Sequence, residues 1–258
     1  MRSNDHNLLV IEEFTKKAES FYRCLGRPSL DHVLEIMVEM SGVTDNDTVL
    51  DVCCGPGLVA CRFATGARHV TGLDITPALL EHARKLQAER GLTNLSWDRG
   101  DAAHLPYPDG SFDIVLSRFA FHHCTDKMAV FREMVRVCSP GGSIILADLV
   151  VPVRKRVAFD RVERLKDPSH AGTMTRRDYL GLAGENGMSG IRSSPFRLEM
   201  DLEQQLGSVI RDPDSARSIR MAYCDDMQKN ALGMDTRTEG SSILFSYPCL
   251  VMACRKSR

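Results

Sequence analysis

Between residues 49 and 149 short apolar runs alternate with amphipathic stretches, and the alternation predicts strands and helices in turn. Val49 to Cys53, His69 to Leu73, Leu95 to Arg99, Phe112 to Ser117 and Ser143 to Leu149 read as strands. Leu58 to Thr65, Pro77 to Arg90 and Lys127 to Val137 read as helices, with Pro77 in a first turn where its missing N–H costs nothing. Pro140-Gly-Gly142 reads as a turn into the strand that follows. This rhythm argues for a mostly parallel sheet with helices on both faces.

Outside that stretch the pattern is looser. Leu9, Phe14, Ala18, Phe21 and Cys24 share one face of a helix over 6–25, which Gly26-Arg-Pro28 breaks, and Leu30 to Met40 forms another. Beyond residue 152, Val153 to Leu165 reads as a basic amphipathic helix. Thr175-Arg-Arg-Asp178 opens a further helix with a capping box, ending near Gly187. Phe196 to Met200 and Ile243 to Cys254 read as strands around a helical cap, 202–235, whose Met221, Met227 and Met234 suit core filling. No glycine/serine linker divides the chain, so one domain is expected: N-terminal helices over 1–45, a core over 46–152, and a substrate-side region over 153–258.

The chemistry concentrates at the ends of the predicted strands. Asp51-Val-Cys-Cys54-Gly55-Pro-Gly57-Leu-Val-Ala60 runs a strand into a glycine-rich turn and a helix, an arrangement that lets backbone pass close to a ligand and presents free N–H groups. Alone it also fits a dinucleotide-binding turn, or an ordinary tight connection. Asp51 changes the picture, because a turn receiving an anionic pyrophosphate has no use for a carboxylate there. A carboxylate suits the cationic amino-acid end of S-adenosylmethionine (SAM), through water or by orienting the loop. Asp74 ends the next strand, placed to accept from two ribose hydroxyls or to cap the Pro77 helix. Arg99-Gly100-Asp101-Ala102 closes the third strand, where Asp101 suits an adenine amino group and the Ala102 N–H the ring.

These stations, with Leu105-Pro-Tyr-Pro-Asp-Gly-Ser-Phe-Asp113 and Ser117, resemble the class I SAM-dependent methyltransferases, and most the branch of ubiquinone- and menaquinone-biosynthesis and natural-product enzymes. The resemblance covers about residues 10–150. It implies an α/β fold with a Rossmann-like seven-stranded, mostly parallel sheet, its last strand antiparallel, and SAM across the carboxyl ends of the first strands. It carries cofactor binding onto Asp51, Cys54, Gly55, Gly57, Asp74, Ile75, Gly100, Asp101, Ala102, Ser117 and Arg118, with S-adenosylhomocysteine (SAH) as product. Cys53 departs from the family by standing where its loop has a first glycine, which predicts altered packing with binding retained.

After the fourth strand, Ser117-Arg-Phe119-Ala-Phe-His122-His123 should border the transferred methyl. The Asn/Asp-Pro-Pro-Tyr/Phe motif of amide and exocyclic-nitrogen methyltransferases is absent. His122 or His123 could supply a base, or a loop contact, and no partner carboxylate for either ring stands out. Arg118 could hold a substrate acid or the SAM carboxylate, or sit in an internal ion pair. The resemblance further places Phe14 and Tyr22 on a lid, and puts Phe119, Phe159 and His170, with the segment Arg161 to His170, at the substrate pocket.

Net charge −1, from 33 basic and 34 acidic residues, gives no field for a polyanion, so no nucleic-acid partner is expected. The apolar stretch Ile144 to Val153 is interrupted by Asp148 and too short to span a bilayer, and the N-terminus has no signal-peptide core. Nine scattered cysteines without a C-x-x-C pair indicate neither zinc nor a disulfide framework, so no metal is expected and the compartment reads as cytoplasmic. The expected activity is methyl transfer to an N, O or C atom of a heterocyclic, phenolic or quinone-like small molecule, by a monomer or homodimer. A nicotinamide-dependent oxidoreductase, an RNA methyltransferase and a SAM-binding protein without turnover remain open alternatives.

Overall fold

The computed structural model describes the backbone of residues 3–23, 28–209 and 212–258 and the side chains of 5–20, 31–207 and 212–258. Helices α1 (Ser3–Arg23) and α2 (Pro28–Ser41) lead into a run of β1 (Thr48–Val52), α3 (Leu58–Phe63), β2 (His69–Asp74), α4 (Pro77–Glu89), β3 (Leu95–Arg99), β4 (Phe112–Arg118), α5 (Lys127–Val137) and β5 (Cys138–Leu149). Then come α6 (Val153–Lys166), α7 (Arg176–Glu185), β6 (Ser189–Asp201), α8 (Leu202–Val209), α9 (Pro213–Lys229), β7 (Arg237–Glu239) and β8 (Ser242–Arg255).

The strands form one sheet in the order β3-β2-β1-β4-β5-β8-β6. Its first five are parallel, and β8 runs antiparallel to both β5 and β6. The expected antiparallel last strand is therefore found, while the sheet has eight strands instead of seven because β7 folds back on β8. The polar triplet Arg237-Thr-Glu239 carries no strand signal, and it pairs through a tight turn in which Gly240 takes φ +60°.

The central strands are apolar throughout because both sheet faces are covered. Leu50, Val52, Val115, Ile144 and Leu146 pack with Phe131 and Met134 of α5 and Tyr179 of α7 on one face. Val49, Ile114, Leu116 and Ile145 pack with Met37 of α2 and Phe63 of α3 on the other. Each such side chain, fully buried, contributes about 1.5–3 kcal/mol. A third cluster, with Phe159, Tyr223 and Phe245, joins α6, α8 and α9 to the far end of β8.

Two boundaries differ from the sequence reading. β5 begins at Cys138 and absorbs the expected Pro140–Gly142 turn as a bulge: Phe112 pairs with Cys138, yet Ile114 pairs with Ser143. Gly141, at φ +81°, allows that loop inside the strand. β6 runs from Ser189, well before Phe196, because its exposed polar half pairs with β8, with Arg192 bonded to the Met40 carbonyl of α2 at 2.8 Å. Thr175 and Asp178 form the expected capping box on α7.

The sheet order reverses at β1, which has β2 on one side and β4 on the other. Such a switch point opens a crevice at the carboxyl ends of the strands. There Asp51, the loop Cys53–Gly57 and Arg118 come together.

Candidate active site

A cavity of about 410 Å³ occupies that crevice and extends beneath α1 and α6. Its floor is the glycine loop. Cys53 (φ +59°) and Gly55 (φ +54°) both take left-handed backbone, so the position where the resemblance expects glycine carries a strained cysteine. Gly55 faces open space, and its N–H donates to Asp74 Oδ2 at 2.9 Å. Asp74 Oδ1 accepts from the Thr76 N–H at 2.8 Å. Asp74 thus joins the loops after β1 and β2, and one acceptor position on each oxygen stays available. Burial pushes its carboxyl up from the ordinary value, against the hydrogen bonds from Thr76 and Gly55. Thr76, not Asp74, is the residue at the cap of α4.

Gly57 is required for another reason. It begins α3 at φ +84°, and a Cβ there would meet Trp97 at 2.7 Å and Ala83 at 2.9 Å. It lies outside the cavity lining, and packing by itself already requires glycine there. Ser117 is buried, outside the lining, and donates to the Val52 carbonyl at 2.7 Å, tying β4 to β1.

Asp51 and Arg118 carry the least satisfied polar groups. Both face the cavity, and both Asp51 oxygens and the Arg118 Nε and one terminal nitrogen are buried with no hydrogen-bond partner among the described residues. The two side chains are oppositely charged neighbours without a direct hydrogen bond between them. Burial pushes the Asp51 carboxyl up to about 8 even against Arg118, and pushes Arg118 down to about 10 even against Asp51. Groups left this way cost free energy unless something completes them. A molecule ending in an ammonium and a carboxylate supplies one partner to each.

Ile75, Gly100, Asp101 and Ala102 line the same end, with Cys54. Asp101 accepts from the Ala103 N–H at 3.0 Å and from Asn7 Nδ2 of α1 at 3.1 Å. Helix α1 lies over the cavity through this bond and three more contacts. His6 Nε2 bonds the His123 carbonyl at 2.8 Å, Phe14 stands edge-on to the His123 ring at 4.9 Å, and Lys17 pairs with Asp167 at 2.9 Å. Tyr22 lies outside the described side chains.

At the opposite end the short 3-10 turn Phe121–His123 presents two histidines with different partners. His122 Nδ1 lies 2.5 Å from Asp148 Oδ1, and the His122 N–H donates to Asp148 Oδ2 at 3.2 Å. Burial disfavours the charged ring, but the charge of Asp148 and its hydrogen bond outweigh it and raise the His122 pKa. The same pairing holds the buried Asp148 carboxyl below its ordinary value. His122 therefore has the partner carboxylate that the sequence reading lacked. A lone acid closing the apolar run Ile144 to Ala147 is the signal that points to it. His123 Nδ1 contacts the Ser169 carbonyl and hydroxyl at 3.2 and 3.0 Å, and burial, with the nearby charge of His122, drives its pKa down. It stays neutral.

His170 lines the cavity with its Nε2 bonded to Asp160 at 2.9 Å. Phe119 lines it at φ +52°, with the Arg118 guanidinium 5.1 Å from its ring centre. Phe159 is not among the residues that line the cavity: it is fully buried in the third core cluster. Glu163, Lys166 and Asp167 of the predicted segment do line it, joined by Gln205 and Tyr247, which the sequence did not single out. Among the described residues, no group of three or more His, Cys, Asp or Glu is placed to hold a metal, and no helix is long and apolar enough to cross a membrane.

A family profile described as "Methyltransferase domain" matches residues 50–146, the segment from β1 into β5. The chain is 25% identical to the uncharacterized methyltransferase YcgJ of Bacillus subtilis, over 93% of this chain and 96% of that one. The crystal structure of that protein superposes with a TM-score of 0.82, covering 88% of this chain and 99% of the other at 23% identity. Demethylmenaquinone methyltransferase of Listeria monocytogenes is 36% identical over 45% of this chain and 50% of its own length. Methyltransferase GfsG of Streptomyces halstedii is 40% identical over 47% of this chain and 44% of its own, so the chain spans about half of each of these two relatives.

Proposed function

We propose, for a chain that belongs to the class I SAM-dependent methyltransferases, transfer of a methyl group from SAM to a nucleophilic N, O or C atom of a small heterocyclic, phenolic or quinone-like molecule. One observation carries the reading. A single cavity is lined by buried, uncompleted Asp51 and Arg118 and by His122, whose ring is paired with Asp148. The name of the demethylmenaquinone methyltransferase relative supports a small-molecule acceptor, and net charge −1 offers no field to attract RNA.

The residues fit the cofactor. Asp51 would take its ammonium, Arg118 its carboxylate, Asp74 the ribose hydroxyls, and Asp101 with the Ala102 N–H the adenine. When bound, SAM supplies an activated methyl that leaves sulfur with the bonding pair staying behind.

The chain's own contribution is alignment and proton handling. Helix α1, held by Asn7, His6 and Lys17 to Asp101, His123 and Asp167, covers the cavity and would limit the access of water. Asp148 fixes the His122 ring by its Nδ1, which leaves Nε2 with a lone pair whenever the ring is neutral. That nitrogen takes a proton from an acceptor hydroxyl or N–H, and the carboxylate holds the resulting imidazolium. An acidic phenol needs this help least, an alcohol or carbon acid most. The reading treats the chain as one domain, with 1–45 as the covering helices, 46–152 as the cofactor core and 153–258 as the acceptor side, working in the cytoplasm as monomer or homodimer. It is tested by calorimetry with SAH, followed by a screen of phenols and heterocycles for methyl transfer. Tighter binding of NADH than of SAH would overturn it.

A further inference from the structure

The acceptor end of the cavity holds a buried polar cluster for which methyl transfer itself has no use. Lys166 lies among the rings of Tyr223, Tyr247 and Phe245, with its Nζ 4.9, 5.0 and 5.2 Å from their centres. Its ammonium donates to Glu163 Oε1 at 2.6 Å, to the Tyr247 hydroxyl at 2.9 Å and to the Tyr223 hydroxyl. An ammonium has three donors, and all three are used. Although Lys166 lines the cavity, it has nothing left for an anionic substrate.

Tyr247 is saturated as well. Its hydroxyl accepts from Lys166 and from Gln205 Nε2 at 2.8 Å, and it donates its one proton to Glu163 at 3.2–3.3 Å. Glu163 differs. A carboxylate has about four acceptor positions, and Lys166 and Tyr247 fill two. Glu163 is 8% exposed and borders the cavity, so it keeps acceptor capacity beside any guest that enters.

The other charges at this end are paired internally: Lys17 with Asp167 at 2.9 Å, His122 with Asp148, and Lys166 with Glu163. The remaining wall includes Leu149, Leu198, Met200 and Phe119. Arg118, an unpaired cation whose guanidinium stands 5.1 Å from the Phe119 ring centre, is assigned to the SAM carboxylate, so with SAM or SAH bound an ionised guest would meet no uncommitted counter-charge here and would lose its hydration on entry.

We propose that this end of the cavity is a selectivity subsite for an uncharged, mainly apolar acceptor that donates a hydroxyl hydrogen bond to Glu163, in addition to the group presented to His122. The subsite rests on the methyltransferase reading for what occupies the other end. Lys166 acts as a positioning residue that fixes Glu163 and Tyr247.

The test is equilibrium binding to the SAH-saturated full chain of three matched probes: 1,5-dihydroxynaphthalene, 5-methoxy-1-naphthol and 5-hydroxy-1-naphthoate. The diol should bind about tenfold more tightly than its methyl ether, as one hydrogen bond to a charged acceptor allows, and the carboxylate should bind weakest. In the charge-balanced double variant Glu163→Leu/Lys166→Met the diol preference should fall below about threefold. SAH affinity measured alongside reports the fold. If the double variant loses SAH binding, Glu163→Gln is read in its place and should narrow the preference. Tightest binding of the carboxylate, no binding of the diol, or a diol preference unchanged by the variants overturns the subsite. Failure of the wild-type chain to bind SAH overturns instead the methyltransferase reading.

Discussion

The His122 imidazole and the Asp148 carboxylate meet Nδ1 to Oδ1 at 2.5 Å, joining the turn after β4 to the end of β5 within the cavity wall. Replacing His122 with glutamine should lower turnover of an alcohol or weakly acidic acceptor by about 10²–10⁴-fold, with SAH affinity unchanged by calorimetry. The same substitution at His123, whose ring is held to Ser169 and neutral, should leave the pH profile intact. Equal losses for both variants would return the pair to a purely structural role.

The direction of the pH dependence follows from the same pair. His122 is a base only when neutral, and Asp148 raises its pKa, so the rate should climb with pH through a value above the ordinary 6.5. Asp148→Asn should move that limb down. Stability runs the other way. The His122 contribution is complete below 6.5 and lost as pH rises through its raised value, whereas that of Asp148 is lost as pH falls below 3.8 through its lowered one. The pair's own contribution, read as the difference in melting temperature between the parent and a His122→Gln/Asp148→Asn double variant, should therefore be flat between the two limits.

Asp74 joins two loops by accepting from Gly55 and Thr76, and it is the proposed ribose ligand. Asp74→Ala should weaken SAH by about 2–4 kcal/mol, the loss of two charge-assisted bonds less what water restores. Unchanged affinity by calorimetry removes Asp74 from the site.

Asp51 adds a proton to the binding equilibrium. With its carboxyl raised to about 8, the ligand-free protein keeps a proton at pH 7 that an ionised partner for an ammonium must give up. SAH binding should then release a proton, visible as heats that change with the ionisation enthalpy of the buffer. Because the folded state holds that proton and the unfolded chain does not, ligand-free stability should fall as pH rises from about 4 to 8. Asp51→Asn should flatten that fall.

The left-handed positions of the loop separate by what surrounds them. Gly57→Ala drives a Cβ into Trp97 and Ala83 and should cost about 2–5 kcal/mol in urea unfolding, from strained backbone plus overpacking. Cys53→Gly relieves strain but frees the unfolded chain, so its stability should stay within about 1 kcal/mol of the parent.

Much of this was legible before any coordinates. The strand–turn–helix run from Val49 to Ala60, the acids at 74 and 101 and the alternating pattern fix the parallel half of the sheet and the cofactor end of the cavity. What the sequence concealed depends on contacts between distant elements. Asp148 belongs to an apolar strand and gains meaning only beside His122, and Tyr247 looks like any aromatic of a buried strand until Lys166 arrives from α6. Ser117 and Phe159 show the converse: Ser117 is next to the cavity-lining Arg118 and Phe159 is on the same helix as Glu163, yet the Ser117 hydroxyl bonds the Val52 carbonyl and the Phe159 ring packs in the core.

The place of β8 in the sheet bears on how the chain reaches this state. Residues 242–255 lie between β5 and β6, so β6 has no strand partner until they arrive, and the acceptor wall bearing Leu198, Met200 and Tyr247 waits with it. Until then β5 offers an unpaired edge over Ser143 to Leu149, apolar and open to strands of other molecules. Closing it joins Ile144 to Cys254, 110 positions apart, a late and entropically costly contact. A chain cut before residue 242 is therefore expected to aggregate during folding, not merely to lose acceptor selectivity, and the harm would appear as missing protein before it appeared as missing turnover.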